Sequence, residues 1–242
     1  MKVAFLGKGG SGKSTLATQC VRYLHNRGDI VLAIDADHNM DLSYNLGVEP
    51  SVFLGSDPFA IKSYLGLPEE ATFVQARTVA AAKNISFGLD PADSFTKRMT
   101  TAVDGRTLLM TAGPHTDIVR EGVACSHSLA APLKVYLPLL TLKPGESVVI
   151  DERAGTDPVA TGILKGVDVA VIVAEPTVHS VRVAAQIAHE LELARVPYAF
   201  VANKVREDTA AFEALPAHPI AYVAFGAEPD IAELMQKIEQ RL

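Results

Sequence analysis

Two cysteines, Cys20 and Cys125, are all that this chain of 242 residues carries, too few for a disulfide framework. Basic charge is also scarce: 22 Lys and Arg stand against 28 Asp and Glu, a formal net charge of −6. That balance lacks the electrostatic footprint that nucleic acid or an anionic membrane surface requires, so neither is expected as a partner. Long apolar runs are missing. Stretches such as 167–174 are too short to span a bilayer, and residues 1–6 read as a strand, not as the start of a secretory signal. Internal repeats and low-complexity tracts are absent as well. A soluble, cytoplasmic protein is therefore expected, and 48% hydrophobic residues suffice for one large α/β domain with a full core.

What is present is alternation. Short apolar runs at 3–6, 30–34, 108–111, 147–150, 169–173, 198–202 and 220–223 read as strands. Helical patterns at 14–27, 128–140, 158–165, 178–195, 209–215 and 229–241 separate them. Several runs are continuously apolar, as parallel strands covered on both faces must be. The predicted architecture is a doubly wound, mostly parallel α/β sheet in a single domain, 1–242, with ligands at the carboxyl ends of the strands. Residues 49–105 break any period with Pro, Ser and Asp. They are expected to form an insertion on that same domain, with a candidate helix at 70–82.

The most informative stretch follows the first strand: Gly7-Lys8-Gly9-Gly10-Ser11-Gly12-Lys13-Ser14-Thr15, a match to the phosphate-binding loop G-x-x-x-x-G-K-[ST]. Glycines tolerate positive φ and let consecutive N–H groups curl around phosphate oxygens. Lys13 supplies a point charge for the β- and γ-phosphates, and the Ser14 hydroxyl is a ligand for Mg²⁺. The helix that follows aims its positive end at the same anion. The same residues also fit G-x-G-x-x-G, the dinucleotide fingerprint, with Asp35 where a ribose-binding acid belongs. That pattern has no use for Lys13, Ser14 and Thr15, nor for the downstream motifs.

Three such motifs lie at strand ends. After the second strand come Asp35-Ala36-Asp37 and then Asp41; Asp37 is placed to orient an attacking water or touch the Mg²⁺ shell, and the alternative for both Asp37 and Asp41 is a turn or helix cap. The run 148–150 ends in Asp151, a Walker B acid for the Mg²⁺ shell, with Gly155 four residues on, where an N–H could bond the γ-phosphate and release it after hydrolysis. Asn203-Lys204 follows the apolar run 199–202. Its side-chain amide can both donate to and accept from an adenine edge, although Asn is also a common turn residue.

Lys8, directly after the first glycine, makes the loop resemble the deviant Walker A ATPases: MinD and ParA, the nitrogenase iron protein, the arsenical-pump ATPases and the nickel-insertion ATPases. The resemblance runs through Asp35-Ala36-Asp37, 151–155 and Asn203-Lys204 and implies a dimer sandwiching two ATP molecules, in which Lys8 reaches the partner's nucleotide as an arginine finger does. Residues 149–155, 165–168 and 173–177 with Ser180 are most similar to the CooC family, which helps deliver nickel to carbon monoxide dehydrogenase. Gly122-Val123-Ala124-Cys125 falls where that family carries Gly-Cys-x-Cys, and Val123 departs from it. Cys125 and His127 from two chains would still make a Cys₂His₂ set suited to Zn²⁺ or Ni²⁺; the plain alternative is a small buried thiol beside a surface imidazole. The expected function is an ATP-hydrolysing, Mg²⁺-dependent homodimeric switch assisting metal insertion into a metalloenzyme client. A MinD/ParA-like positioning or regulatory ATPase without a metal site is the alternative. The remaining histidines, His38 and His115 among them, show no ligand spacing. The apolar stripe Ile231, Leu234, Met235 and Ile238 reads as core packing, not as a membrane-targeting tail.

Overall fold

The computed structural model describes residues 1–122, 126–207 and 209–242. Eight strands form one sheet: β1 (Lys2–Gly7), β2 (Ile30–Asp35), β3 (Thr101–Ala102), β4 (Thr107–Thr111), β5 (Glu146–Asp151), β6 (Val169–Ala174), β7 (Tyr198–Val205) and β8 (Ala221–Ala224). Their order is β3-β4-β2-β5-β1-β6-β7-β8. Every neighbouring pair is parallel except β3 with β4. The expected doubly wound sheet is what the chain adopts. The chain turns outward in both directions from β1, flanked by β5 and β6, which places the β1 carboxyl end at the switch point where such sheets bind ligands.

Among the described residues ten helices cover it: α1 (Lys13–Arg27), α2 (Asp41–Leu46), α3 (Ala60–Tyr64), α4 (Phe73–Ala82), α5 (Ser94–Met99), α6 (Asp117–Arg120), α7 (Leu133–Leu139), α8 (Asp157–Ala160), α9 (Val178–Ala194) and α10 (Ile231–Glu239). Strand residues alternate between two cores. Val3, Phe5, Val149 and Val171 pack on Leu16, Cys20 and Leu24 of α1 and on Leu234, Met235 and Ile238 of α10. That places the stripe of the last helix in the core, as its spacing suggests. Ala4, Leu6, Ile150 and Ile172 face Val181, Ala184, Ile187 and Leu191 of α9, together with α7. The helix α1 stops at Gly28, whose φ of 104° lets its N–H turn back to the His25 carbonyl, a conformation costly for any residue with a Cβ.

Residues 49–105 are built from short pieces, α3, α4 and α5, and their apolar side chains belong to the second core. Leu54, Ile61, Leu65, Ala76, Ala80, Phe87 and Phe95 are all buried there. The rings of Tyr64, Phe87, Phe95 and Tyr136 lie 4.9–5.8 Å apart, joining this stretch to α7. Thr72 and Gln75 form a reciprocal capping box at the start of α4, the local device that makes this helix the legible one.

Three expected helices are shorter than their patterns. The pattern at 128–140 divides into a 3₁₀ turn, Ser126–Ala130, and α7, because Pro132 lacks an N–H and disfavours helix in the residue before it. The pattern at 158–165 keeps only α8, Asp157–Ala160; Gly162 and Gly166, at φ 75° and 86°, turn the chain afterwards. The pattern at 209–215 is a 3₁₀ turn, Ala210–Ala214. Among the described residues no helix is long and apolar enough to cross a membrane.

Candidate functional site

The phosphate-binding loop leaves β1 at Gly7 and re-enters regular structure at Gly12, the N-cap of α1. Ser11 N–H donates to the Lys8 carbonyl at 3.1 Å, closing the turn. Gly10 and Gly12 hold φ of 80° and 97°, and a Cβ on Gly12 would collide with Asn203 Nδ2. Both facts explain the glycines: one by backbone angle, one by close approach. No acidic residue lies in the first turn of α1, so the positive end of the helix is left for an anion. Lys13 is buried and Ser14 half-buried, while Gly9, Gly10 and Thr15 are exposed. Ser11 is fully buried, and its Oγ has no hydrogen-bond partner.

The acids converge because their strands are neighbours. Asp151 at the end of β5 sits in register with Phe5 of β1 and Asp35 of β2. It is 1% exposed, and neither carboxylate oxygen has a hydrogen-bond partner. Burial pushes its pKa up to about 7; the Ser14 hydroxyl and the Lys13 ammonium pull down, and Asp35 and Asp37 push up. Ser14 is thus close enough to favour the carboxylate without meeting hydrogen-bond geometry. Two unpartnered carboxylate oxygens buried beside the Ser14 hydroxyl offer the oxygen ligands that a hard cation takes, and the Lys13 ammonium is left for phosphate. Mg²⁺ therefore fits between Ser14 and Asp151.

Asp35, the acid required by the dinucleotide alternative, is fully buried. Its Oδ2 accepts from Ser43 N–H at 2.8 Å and Ser43 Oγ at 2.7 Å, which ties it to α2, while Oδ1 has no hydrogen-bond partner. Burial raises it to about 6, against the pull of the Ser43 bonds. Asp37 accepts the Asn39 N–H at 3.1 Å, a turn-capping bond, and its Oδ1 lies 3.2 Å from His38 Nδ1. Asp41 is exposed at the first position of α2. His38 and His115, far apart in sequence, stack with ring centroids 4.3 Å apart.

Gly155, at φ 92°, donates its N–H to the Gly7 carbonyl at 3.2 Å. Asn203 Nδ2 donates to the Ser11 carbonyl at 2.8 Å, which ties the end of β7 to the loop. Lys204 holds a left-handed φ of 56°, and its Nζ donates to the Gly10 carbonyl. Lys8 Nζ pairs with Glu175 Oε1 at 3.0 Å. The structure thus gathers Lys8–Thr15, Asp151, Gly155, Asn203 and Lys204 around one loop. Cys125 lies outside the described residues, and so does the side chain of His127. Among the described residues no group of three or more His, Cys, Asp or Glu is placed to hold a metal ion.

Sequence reasoning missed Glu175 as the partner of Lys8. It also missed Glu152 and Arg153, both buried beyond β5, with both Glu152 oxygens and Arg153 Nε and Nη2 unpartnered. Charged residues straight after an apolar strand read as a solvated turn. No local signal says that this turn is covered.

A family model described as the CobQ/CobB/MinD/ParA nucleotide binding domain matches residues 3–215. The chain is 32% identical over 188 residues to the carbon monoxide dehydrogenase accessory protein CooC of Rhodospirillum rubrum, a match covering 77% of this chain and 67% of that protein. It is 31% identical over 213 residues to an uncharacterized ATP-binding protein of Methanocaldococcus jannaschii, covering 86% and 80% respectively. Among solved structures it is similar to the cell division ATPase MinD of Pyrococcus furiosus, with a TM-score of 0.64 at 18% identity over 99% of this chain and 98% of the other. It is also similar to the septum site-determining protein MinD of Pyrococcus horikoshii complexed with Mg-ADP, with a TM-score of 0.61 at 16% identity over 98% and 86%. At those identities the likeness to solved structures concerns the fold.

Proposed function

The chain belongs to the CobQ/CobB/MinD/ParA nucleotide-binding family, and from that premise we propose that it is a Mg²⁺-dependent ATPase whose nucleotide state switches the geometry of a homodimer. The observation that carries this reading is Asp151: a buried carboxylate with both oxygens unpartnered, beside the Lys13 and Ser14 of a preformed phosphate loop. Leaving such a group without a partner costs stability, which is expected where a bound ion completes the site.

In this reading the N–H groups of Gly9, Gly10, Ser11 and Gly12, the Lys13 ammonium and the Thr15 end of the α1 first turn hold the phosphates. Ser14 would hold Mg²⁺ and Asp151 would support it through its shell; the ion, when bound, would neutralise charge on the β- and γ-phosphates. Asp37 orients the attacking water. Water adds to the γ-phosphorus as its bond to the bridging oxygen breaks, and ADP departs with the electron pair. Gly155 exchanges the Gly7 carbonyl for the γ-phosphate. Asn203 reads the adenine edge, and Lys204 supports the phosphate loop through the Gly10 carbonyl. Lys8 reaches across the dimer to the developing charge. The output is CooC-like: transfer of nickel or another metal to a metalloenzyme client, with Cys125 and His127 of both chains as the cargo site. Identity to CooC supports that output, and Val123, which stands where the CooC family carries its first cysteine, favours the metal-free regulatory or positioning alternative.

One experiment separates them. The protein is loaded with Ni²⁺ or Zn²⁺ with and without ATP, beside a Cys125→Ser variant, and metal content and mass in solution are measured. One metal per dimer, lost in the variant and altered by ATP, is the expected result. No metal in either chain, with ATP still dimerising it, refutes delivery and leaves the regulatory switch. A monomer's mass both with and without ATP refutes the dimer.

A further inference from the structure

Two lysines of the site share one acceptor. Glu175, one residue beyond β6, places Oε1 3.0 Å from Lys8 Nζ and Oε2 3.6 Å from Lys204 Nζ. The backbone that carries this carboxylate is the fixed part of the trio. Glu175 N–H donates to Ser180 Oγ at 3.0 Å, and its carbonyl accepts from Thr177 N–H at 2.7 Å. Thr177 Oγ1 in turn caps α9 by accepting from Ser180 N–H at 3.2 Å. Ser180 is fully buried. The carboxylate side chain is 15% exposed, whereas the lysines are 31% and 39% exposed at the ends of flexible stems. A mostly buried anion on a well-tied turn before α9 therefore holds two more exposed cations, and one of them is the residue that must leave to act elsewhere.

We propose that Glu175 is a latch on Lys8: in the free subunit it holds the ammonium against its own turn before α9, and Lys8 reaches a partner's triphosphate only when this pair opens. The proposal rests on the reading that Lys8 acts across the dimer. Lys204 makes the release inexpensive. When Lys8 departs, Glu175 keeps a cation 3.6 Å away and is not left as an uncompensated carboxylate, the outcome that makes breaking a pair costly. Lys204 also donates to the Gly10 carbonyl, so the arm that inherits Glu175 is fastened to the phosphate loop. Opening the latch is in this way tied to the loop that senses nucleotide. Glu175 is a positioning residue: it touches no reacting atom and acts through Lys8.

The magnitude is set by two facts. A partly exposed ion pair holds by a factor of up to about five, and a two-fold dimer opens two latches at once. Removing the anion should therefore tighten nucleotide-dependent association by up to about 25-fold. The test is Glu175→Gln, which keeps the shape and removes the charge. Dimer formation is followed by mass in solution against protein concentration, with Mg²⁺ and a non-hydrolysable ATP analogue, and nucleotide affinity is measured on dilute monomer. The expected result is a dimer midpoint several-fold lower in protein concentration, with monomer affinity unchanged. The Lys8→Ala, Glu175→Gln double variant should behave as Lys8→Ala does. Glu175→Asp, which draws the anion back by one methylene, should fall between, and it carries the test if the Gln variant melts early. An unchanged or weakened dimer in Glu175→Gln overturns the latch, and so does a gain that persists without Lys8. Lys8→Ala that abolishes hydrolysis and dimerisation beside an inert Glu175→Gln refutes the latch alone. Lys8→Ala with full turnover refutes the cross-dimer reading and the latch together.

Discussion

Glu152→Gln should make the nucleotide-free protein more stable, and by an amount that grows with pH. Glu152 is fully buried one residue beyond β5, with neither side-chain oxygen hydrogen-bonded. Burial pushes its pKa from 4.5 up to about 8, with the Arg153 guanidinium pulling back and Asp151 adding to the rise. An acid raised in the folded state binds more protons folded than unfolded between those two values, so stability falls as pH climbs through that window. With one pH unit worth about 1.4 kcal/mol, this group removes about 2–3 kcal/mol of stability between pH 5 and pH 7. Glutamine occupies the same volume and cannot ionise. The variant should match the parent near pH 5 and exceed it by about 2–3 kcal/mol at pH 7, a gain of about 5–10 °C in Tm for a chain of this length. Urea unfolding at pH 5, 6, 7 and 8 in EDTA, compared at equal m-value, measures the difference. Asp35 and Asp151 are raised too, to about 6 and about 7, but they are common to both proteins and largely drop out of the subtraction. A difference between the two that stays flat from pH 5 to pH 8 would refute the argument.

Two further outcomes test the site and its support. Gly12→Ala puts a Cβ against Asn203 Nδ2 at a φ of 97°; nucleotide affinity should fall about five- to thirty-fold, the equivalent of the roughly 1–2 kcal/mol that left-handed geometry costs, and titration with a fluorescent ATP analogue reads it. Phe95→Ala removes the buried ring that joins residues 49–105 to Tyr136 of α7 and should cost about 3–5 kcal/mol in urea unfolding. A loss below about 1 kcal/mol would mean that this stretch packs as a separable appendage.

Legibility followed the range of the forces involved. The loop 7–15 could be read directly, because its glycines answer local demands of positive φ and close approach. Strands β5 and β6 were legible because burial on both faces leaves an unbroken apolar run. Helices α3 and α5, of five and six residues, are too short to show a 3.6-residue period, which is why 49–105 looked formless. The pair Lys8–Glu175 joins residues 167 positions apart, and the stacking of His38 on His115 depends on β2 and β4 lying side by side. Such contacts leave no mark in local spacing. Pro132 is the exception, a break inside 128–140 that local chemistry alone accounts for.

The bond from the Gly155 N–H to the Gly7 carbonyl bears on how a molecular switch stays reversible. A donor held in reserve by a weak acceptor can be recruited by a stronger one without first being stripped of a partner. Moving it from a neutral carbonyl to a charged phosphate oxygen is worth the difference between two hydrogen bonds, on the order of 1 kcal/mol. In the proposed switch, a contact so evenly matched would tip when the terminal phosphate arrives and tip back when it leaves, so the segment after β5 would report the nucleotide state without being trapped in either one.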